Sequence, residues 1–502
     1  MDYPTFFILM SFLLACIHAF STLFSRRNSR LPPGPYAFPI IGNLLKLGGK
    51  PHQSLATLSK CYGPLMSLKL GSLTTIVVSS PHIAKVFFHT HDRLFSSRAI
   101  PEAARVVDHH KFSIVWLPAG DQWRRLRRIT KEYLFSMQCI DATELLRKEK
   151  VRELLEHVDR CCKNGRPVNV GEVAFTTILN IFSNVVFSTD FAGYDSVSSQ
   201  VFKDNVRALM EVGGKPNVVD YFPILQPLDP QGLTRWVYAC GKKLLTIFDE
   251  IIDQRTERMS NLSLHDDVLS SKNDVLESLL RLNLKDESEF SRNDMRHFFL
   301  DLFMAGTDTI SSTLEWAMAE LIRNPEKMET ARLELVKFTQ NRTKNIHEED
   351  ISQLPYLQAT IKETFRLHPP APFLIPHQAI QNVDIQGFIV PKNAQILCNV
   401  WAMGRDPDIW PNPEVFMPER FLDVEIDFKG QDFELIPFGT GRRICPGLNF
   451  AHRMLHIVLG SLIQNYDWRL ERNKRPYDLD MGEKFGLTLQ RNVPLMAIPI
   501  KL

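Results

Sequence analysis

The segment Phe438-Gly439-Thr440-Gly441-Arg442-Arg443-Ile444-Cys445-Pro446-Gly447 narrows what this chain can fold around more than any other. A glycine-rich loop there delivers a single cysteine to the start of an apolar helix predicted over Leu448 to Tyr466. Free backbone N–H groups and the dipole at such a terminus stabilise a thiolate. The glycines let backbone come close to a flat group, and Arg443 offers a fixed positive charge two residues from the sulfur. A thiolate that ligates a haem iron needs these features together, because it pushes electron density onto the metal for O–O cleavage. The bland alternative is a structural cysteine buried in a loop.

The amino terminus adds a second constraint. From Tyr3 to Phe24 no residue is charged, and Arg26, Arg27 and Arg30 follow at once. About 20 apolar residues cross a bilayer as a helix, and flanking basic residues stay on the cytosolic side. A cleaved signal peptide would carry its charge before the apolar run. Residues 3–24 are therefore expected to be a transmembrane signal anchor, with the rest of the chain facing the cytosol. Residues 25–36 form a basic, Pro-rich linker in which LPPGP (Leu31 to Pro35) acts as a stiff spacer. Residues 37–502 form the body, where no second run of this kind is expected.

Several classes are excluded by the remainder. A formal charge of +2 gives no field for nucleic acid. The 8 cysteines are scattered without a CxxC pair, so neither a zinc site nor a disulfide framework is expected. No flavin or nicotinamide fingerprint follows a predicted strand, so electrons must come from another protein. Leu65 to Leu70 and Thr74 to Ser79 read as a hairpin around Gly71-Ser72. Most segments after Pro81 have helical periodicity, and short β runs return at Val383 to Val390 and Leu487 to Ile500. The polar stretch Asn261 to Asn273 is a surface connection. The fold class is mainly α with a minor β-sheet region.

Ser291 to Arg323 reads as one helix of about 50 Å. Its centre, Ala305-Gly306-Thr307-Asp308-Thr309, is unfavourable to helix, since glycine alone costs about 1 kcal/mol there. Polar side chains at a weakened helix centre mark a place for a small ligand, or else a tolerated kink.

On the Cys445 segment, the chain resembles the cytochrome P-450 family over essentially its whole length. The resemblance implies a triangular helical body enclosing haem, with Cys445 as the axial metal ligand. It places Thr309 beside iron-bound oxygen and makes Asp308 a proton relay from solvent, with Ile310 standing where many relatives have Thr or Ser. Trp123 and Arg127, four apart on one helix face, match the WxxxR element whose arginine meets a haem propionate. His377 is a second propionate contact, and Phe438 and Arg443 complete the cofactor-binding set. Glu363, Arg366 and Arg420 form a structural network behind the haem. Arg124, Arg125, Arg128 and Arg442 suggest a basic patch for an electron donor.

The implied reaction is NADPH- and O₂-dependent insertion of one oxygen atom into a C–H bond, with electrons arriving through a separate flavoprotein reductase. LPPGPYAFPIIGN and DFELIPFGTGRRICPG are similar to plant microsomal enzymes, within the group holding geraniol hydroxylases and ferruginol-type oxidases. That implies an endoplasmic reticulum membrane setting and a small hydrophobic terpenoid substrate, an abietane-type phenolic diterpene before a monoterpenol. The pocket is expected from Ile100 to Ile114, Leu302 to Ala305, Pro372 to Ile375 and Phe485 to Thr488. Two other classes compete: a haem-thiolate isomerase or dehydratase, and a non-catalytic haem-binding protein. Both are disfavoured by the retained Asp308-Thr309 pair.

Overall fold

Apolar residues recurring every three to four positions form the helices that carry the site. They are α1 (Asp121–Thr130), α2 (Val170–Phe187), α3 (Gln200–Gly213), α4 (Leu233–Asn261), α5 (Arg292–Arg323), α6 (Pro355–Leu367) and α7 (Leu448–Asn465). This computed structural model describes residues 10–13, 30–195, 200–261, 274–287, 289–339, 346–471 and 474–502. The predicted anchor lies outside the described residues except for 10–13, which are helical, and so does nearly all of the predicted surface connection after Asn261. Among the described residues, the helix long and apolar enough to cross a bilayer is α2, though it carries Glu172 and is thus not an uncharged run like residues 3–24. Most of α2 is buried, with its length packed against α5, so it serves as a core helix.

The long central helix is α5. Ser291 caps it, accepting from the Asp294 N–H while the Asp294 carboxylate accepts from the Ser291 N–H. This reciprocal cap satisfies two otherwise orphaned donors and defines where the helix begins. Its middle is continuous, so the predicted weak point is not a break. Gly306 has a packing reason: a β-carbon there would come within 2.5 Å of the Phe182 ring on α2.

Among the described residues, twelve short strands make four sheets. They are β1 (Leu65–Leu70), β2 (Leu73–Val78), β3 (Ser97–Arg98), β4 (Val168–Asn169), β5 (His377–Gln378), β6 (Val383–Ile385), β7 (Phe388–Val390), β8 (Gln395–Cys398), β9 (Tyr466–Leu470), β10 (Glu483–Lys484), β11 (Gln490–Arg491) and β12 (Met496–Lys501). The largest runs β1-β2-β8-β5-β3 and includes the expected hairpin around Gly71. In its last pairing Arg98 faces His377 across the ladder. The run Val383 to Val390 is itself a hairpin, turned at Gln386-Gly387, both at positive φ.

The LPPGP segment is not a free spacer. Ser67 of β1 donates its backbone N–H to Pro33 O at 2.8 Å and its hydroxyl to Pro32 O at 2.6 Å. A β-carbon on Gly34 would stand 1.9 Å from Ser67 O, so the spacer is seated on the sheet.

Glu363 and Arg366 on α6 form a two-point ion pair at 2.7 Å with no side-chain exposure, and Arg420 joins Glu363 at 3.1 Å. Arg366 also donates to the carbonyls of Gly404, Pro413 and Val415. Every charge in this network has a partner, as a buried pair requires.

Candidate active site

A cavity of about 330 Å³ lies between α5 and the cysteine loop. Among the described residues Cys445 is the cysteine that lines it, and Thr309 and Ala305 line it from α5. The loop turns through Gly439 and Gly441, both at positive φ; at Gly441 a β-carbon would also meet Phe88 O at 2.7 Å. The Cys445 N–H donates to Phe438 O at 2.9 Å and closes the loop. Phe438 lines the cavity, and its ring rests edge-on against Phe365 of α6. Burial raises the Cys445 thiol above its ordinary range, while the Gly447 N–H and Arg127 oppose that rise. Such a thiol becomes a thiolate when a cation faces it. The charge acting on the sulfur is thus Arg127 rather than Arg443, because Arg443 points away. It donates to Ser96 O at 2.8 Å and to Leu117 O, and lies 4.5 Å over the Trp123 ring.

Arg98, Arg127, Arg443 and His377 share one end of the cavity. Burial, with mutual repulsion by Arg443 and Arg127, pushes the Arg98 guanidinium well below its ordinary range. Burial and Arg127 lower Arg443 to about 10, and burial lowers Arg127. Burial and Arg98 keep His377 neutral, with its Nδ1–H donating to Phe95 O at 2.7 Å. None of the three arginines forms an ion pair among the described residues. The acid that acts on Arg443, Asp92, is paired with Arg442 at 2.7 Å. Arg98 Nε has no partner. Buried charge left unmatched in this way calls for an anion.

Arg98 was not legible in the sequence. It is one arginine in an unremarkable run, brought to His377 only by the β3–β5 pairing. Trp123 on α1 lines the cavity, its Nε1–H donating to Ile114 O at 3.0 Å.

Thr309 and Asp308 are adjacent in sequence but face different spaces. The Thr309 hydroxyl donates to Ala305 O at 2.6 Å, which leaves its lone pairs toward the cavity. Asp308 faces a second, polar cavity of about 290 Å³, shared with Arg207, Glu315, Lys484 and Gln490. Gln490 Nε2 donates to its Oδ1 at 2.8 Å, and Oδ2 has no protein partner. Burial raises the Asp308 carboxyl above its ordinary range.

The expected pocket segments largely meet here. Ala103, Val107, Ile114, Leu302, Met304, Leu374 and Ile375 line the first cavity. The carboxyl-terminal segment divides: Leu487 reaches it, whereas Phe485 and Thr488 line the polar one. Of the basic patch, Arg124, Arg128 and Arg442 are exposed and pair with Asp121, Glu289 and Asp92.

A cysteine facing a threonine across an apolar cavity, with unmatched arginines at one end, defines a site for a flat, anionic redox group. Comparison with known proteins gives the family. The cytochrome P-450 family model matches residues 32–496. Cytochrome P-450 76T24 of Catharanthus roseus is 55% identical over 476 residues, covering 95% of this chain and 94% of the relative. Geraniol 8-hydroxylase of the same plant is 47% identical over 502 residues, covering 100% of both chains. Ferruginol synthase of Isodon rubescens is 45% identical over 497 residues, covering 99% of both. The chain belongs to the cytochrome P-450 family, as a monooxygenase whose haem is bound through a cysteine thiolate and whose electrons come from a reductase.

Proposed function

We propose that Cys445 is the axial ligand and that the cavity above it oxidises a small hydrophobic terpenoid. The observation that carries this reading is the placement of Cys445 and Thr309 on one cavity walled mostly by apolar side chains. Haem fits the residues present: its propionates would answer the unmatched Arg98, Arg127 and Arg443 beside His377, and its iron would answer the buried thiol. Trp123 and Phe438 would pack on the porphyrin. Bound there, haem supplies reductive activation of O₂ and insertion of one oxygen atom into a C–H bond.

The chain's own residues exclude water, orient the substrate and deliver protons. With its own proton donated to Ala305 O, Thr309 Oγ1 accepts a hydrogen bond from whatever stands in the cavity. Asp308 holds a proton more readily than an exposed carboxyl and draws it from the polar cavity behind α5. Passage from Asp308 to Thr309 goes about 100° around the helix between sequence neighbours and needs a carboxyl rotation or bridging water.

The first substrate candidate is an abietane-type phenolic diterpene, in keeping with the ferruginol synthase relative. A geraniol-type monoterpenol is the second, favoured by geraniol 8-hydroxylases at 47% and 46% identity. We assign residues 3–24 as a single-pass anchor in the endoplasmic reticulum membrane, with the body cytosolic. The uncharged run followed by three arginines supports this. Arg124, Arg125, Arg128 and Arg442 are the docking patch proposed for the reductase.

The test is NADPH-dependent turnover in yeast microsomes with a plant reductase, comparing abietane phenols with geraniol by mass spectrometry. An oxygenated diterpene supports the first reading. Oxidised geraniol alone moves the pocket to small terpenols, and no product from either overturns the terpenoid assignment. A haem protein that consumes no NADPH with any substrate would favour a non-catalytic or isomerising role.

A further inference from the structure

One wall of the cavity is a stretch without regular secondary structure, Ser113 to Leu117, which carries Ile114, Val115 and Trp116 into the cavity. Its position depends on hydrogen bonds. At the cofactor end Ile114 O accepts from Trp123 Nε1, and Leu117 O accepts from Arg443. At the other end it is tied to a carboxylate on α5. Asp301 Oδ1 accepts from the Ser113 hydroxyl at 2.7 Å, and Oδ2 accepts from the Ile114 N–H at 2.8 Å. The same Ser113 oxygen accepts from the N–H groups of Val115 and Trp116 at 3.1 and 3.3 Å. The Ile114 N–H directly, and Val115 and Trp116 through the Ser113 hydroxyl, are thus tied to α5.

Two histidines complete the arrangement. His109 Nε2 lies 3.0 Å from Asp301 Oδ1, and a carboxylate only accepts, so Nε2 carries the proton. His109 Nδ1 is in hydrogen-bond contact with His297 Nδ1 at 3.1 Å. Burial and His109 lower His297 to about 3, in keeping with a neutral ring. His297 stacks on Phe112, one residue before the wall, at 5.2 Å and 8°. Asp301 and His109 are buried at the cavity edge. A buried carboxylate held by several donors resists displacement more than a neutral acceptor would.

We propose that Asp301, with Ser113 and the His109–His297 pair, is a positioning device that sets the Ile114–Trp116 wall and so determines which ligands fit above the haem. It rests on the cavity being the haem and substrate site. None of the four is assigned to the reacting atoms.

The test uses full-length holoenzyme and two probes that ligate ferric haem, imidazole and 4-phenylimidazole, read by absorption difference spectra. Imidazole reports access to iron; the phenyl group reports the wall. In Asp301→Ala the expected result is an intact carbonyl band near 450 nm, imidazole affinity within about twofold of wild type, and 4-phenylimidazole affinity changed at least fivefold. Asp301→Asn, which keeps an acceptor for Ser113, should recover part of the difference. Unchanged affinity for both probes in Asp301→Ala overturns the proposal. If that variant yields no haem protein, Ser113→Ala and His297→Phe replace it, with changes of about threefold confined to 4-phenylimidazole. Equal effects on both probes, or none, overturn it there. Failure of wild type to bind imidazole at all would instead sink the haem-site reading.

Discussion

Two buried charge clusters, one centred on Glu363 of α6 and one lining the cavity that holds Cys445, behave in opposite ways. Around Glu363 both guanidiniums, Arg366 and Arg420, meet a carboxylate, and the Glu363–Arg366 partners are wholly buried. Around Arg98, Arg127 and Arg443 the guanidiniums repel one another, and one nitrogen is orphaned. Buried charge is expensive unless it is paired. A matched cluster therefore reads as scaffold, and an unmatched one as a cradle for a charged ligand that the polypeptide does not supply. The same criterion separates the two faces of α5: Thr309 opens onto the ligand cavity, while Asp308 joins a cavity where acids and bases are mixed.

The largest effect should come from removing the centre of the cradle. Cys445→Ala is expected to abolish the reduced carbonyl band at 450 nm; its retention would reassign the ligand. Next, Glu363→Ala strands Arg366 and Arg420 and should cost about 3–5 kcal/mol, seen as loss of soluble folded protein or a large fall in Tm. Arg98→Leu should part the two clusters cleanly. The apo protein should keep or gain thermal stability because repulsion is relieved, while haem dissociates about tenfold faster from the loss of one charge-assisted contact. A fall in apo stability comparable to that of Glu363→Ala would erase the distinction. Thr309→Ala should leave haem binding intact and cut product per NADPH about tenfold or more, with peroxide appearing instead.

What was legible in the sequence was local. The cysteine loop, the capped α5 and the one-turn Glu363–Arg366 pair each lie within a short stretch, so spacing alone indicated their geometry. Arg98 was not legible because only a two-residue strand pairing brings it to His377. Asp301 was hidden in the same way, since its partners lie 187 and 188 residues away. Gly306 misled in a different manner: the weak helix former answers to the Phe182 ring of a neighbouring helix, a contact that no helical periodicity encodes. The LPPGP segment was read by its stiffness, but its contacts with Ser67 decide its place.

The smallest expected effect tests whether matched charge behaves as scaffold away from the haem. Glu483 of β10 accepts from His52 Nε2 at 2.9 Å, Gln53 Nε2 at 2.8 Å and Trp401 Nε1 at 2.9 Å. Burial alone would raise its carboxyl, but these donors and Arg405 outweigh burial and hold it at about 2. A carboxyl lowered on folding contributes stability above its ordinary value, and that contribution is lost as pH falls through the folded value. Wild-type protein should therefore lose stability between about pH 4.5 and 2 more steeply than Glu483→Gln. At neutral pH the variant should be the less stable of the two, because an amide accepts these donors more weakly. Denaturant titrations at pH 7 and across the acid range measure both. Parallel curves for the two proteins would mean that the cluster is packing alone, and that matching of charge, rather than burial, is not what distinguishes scaffold from cradle.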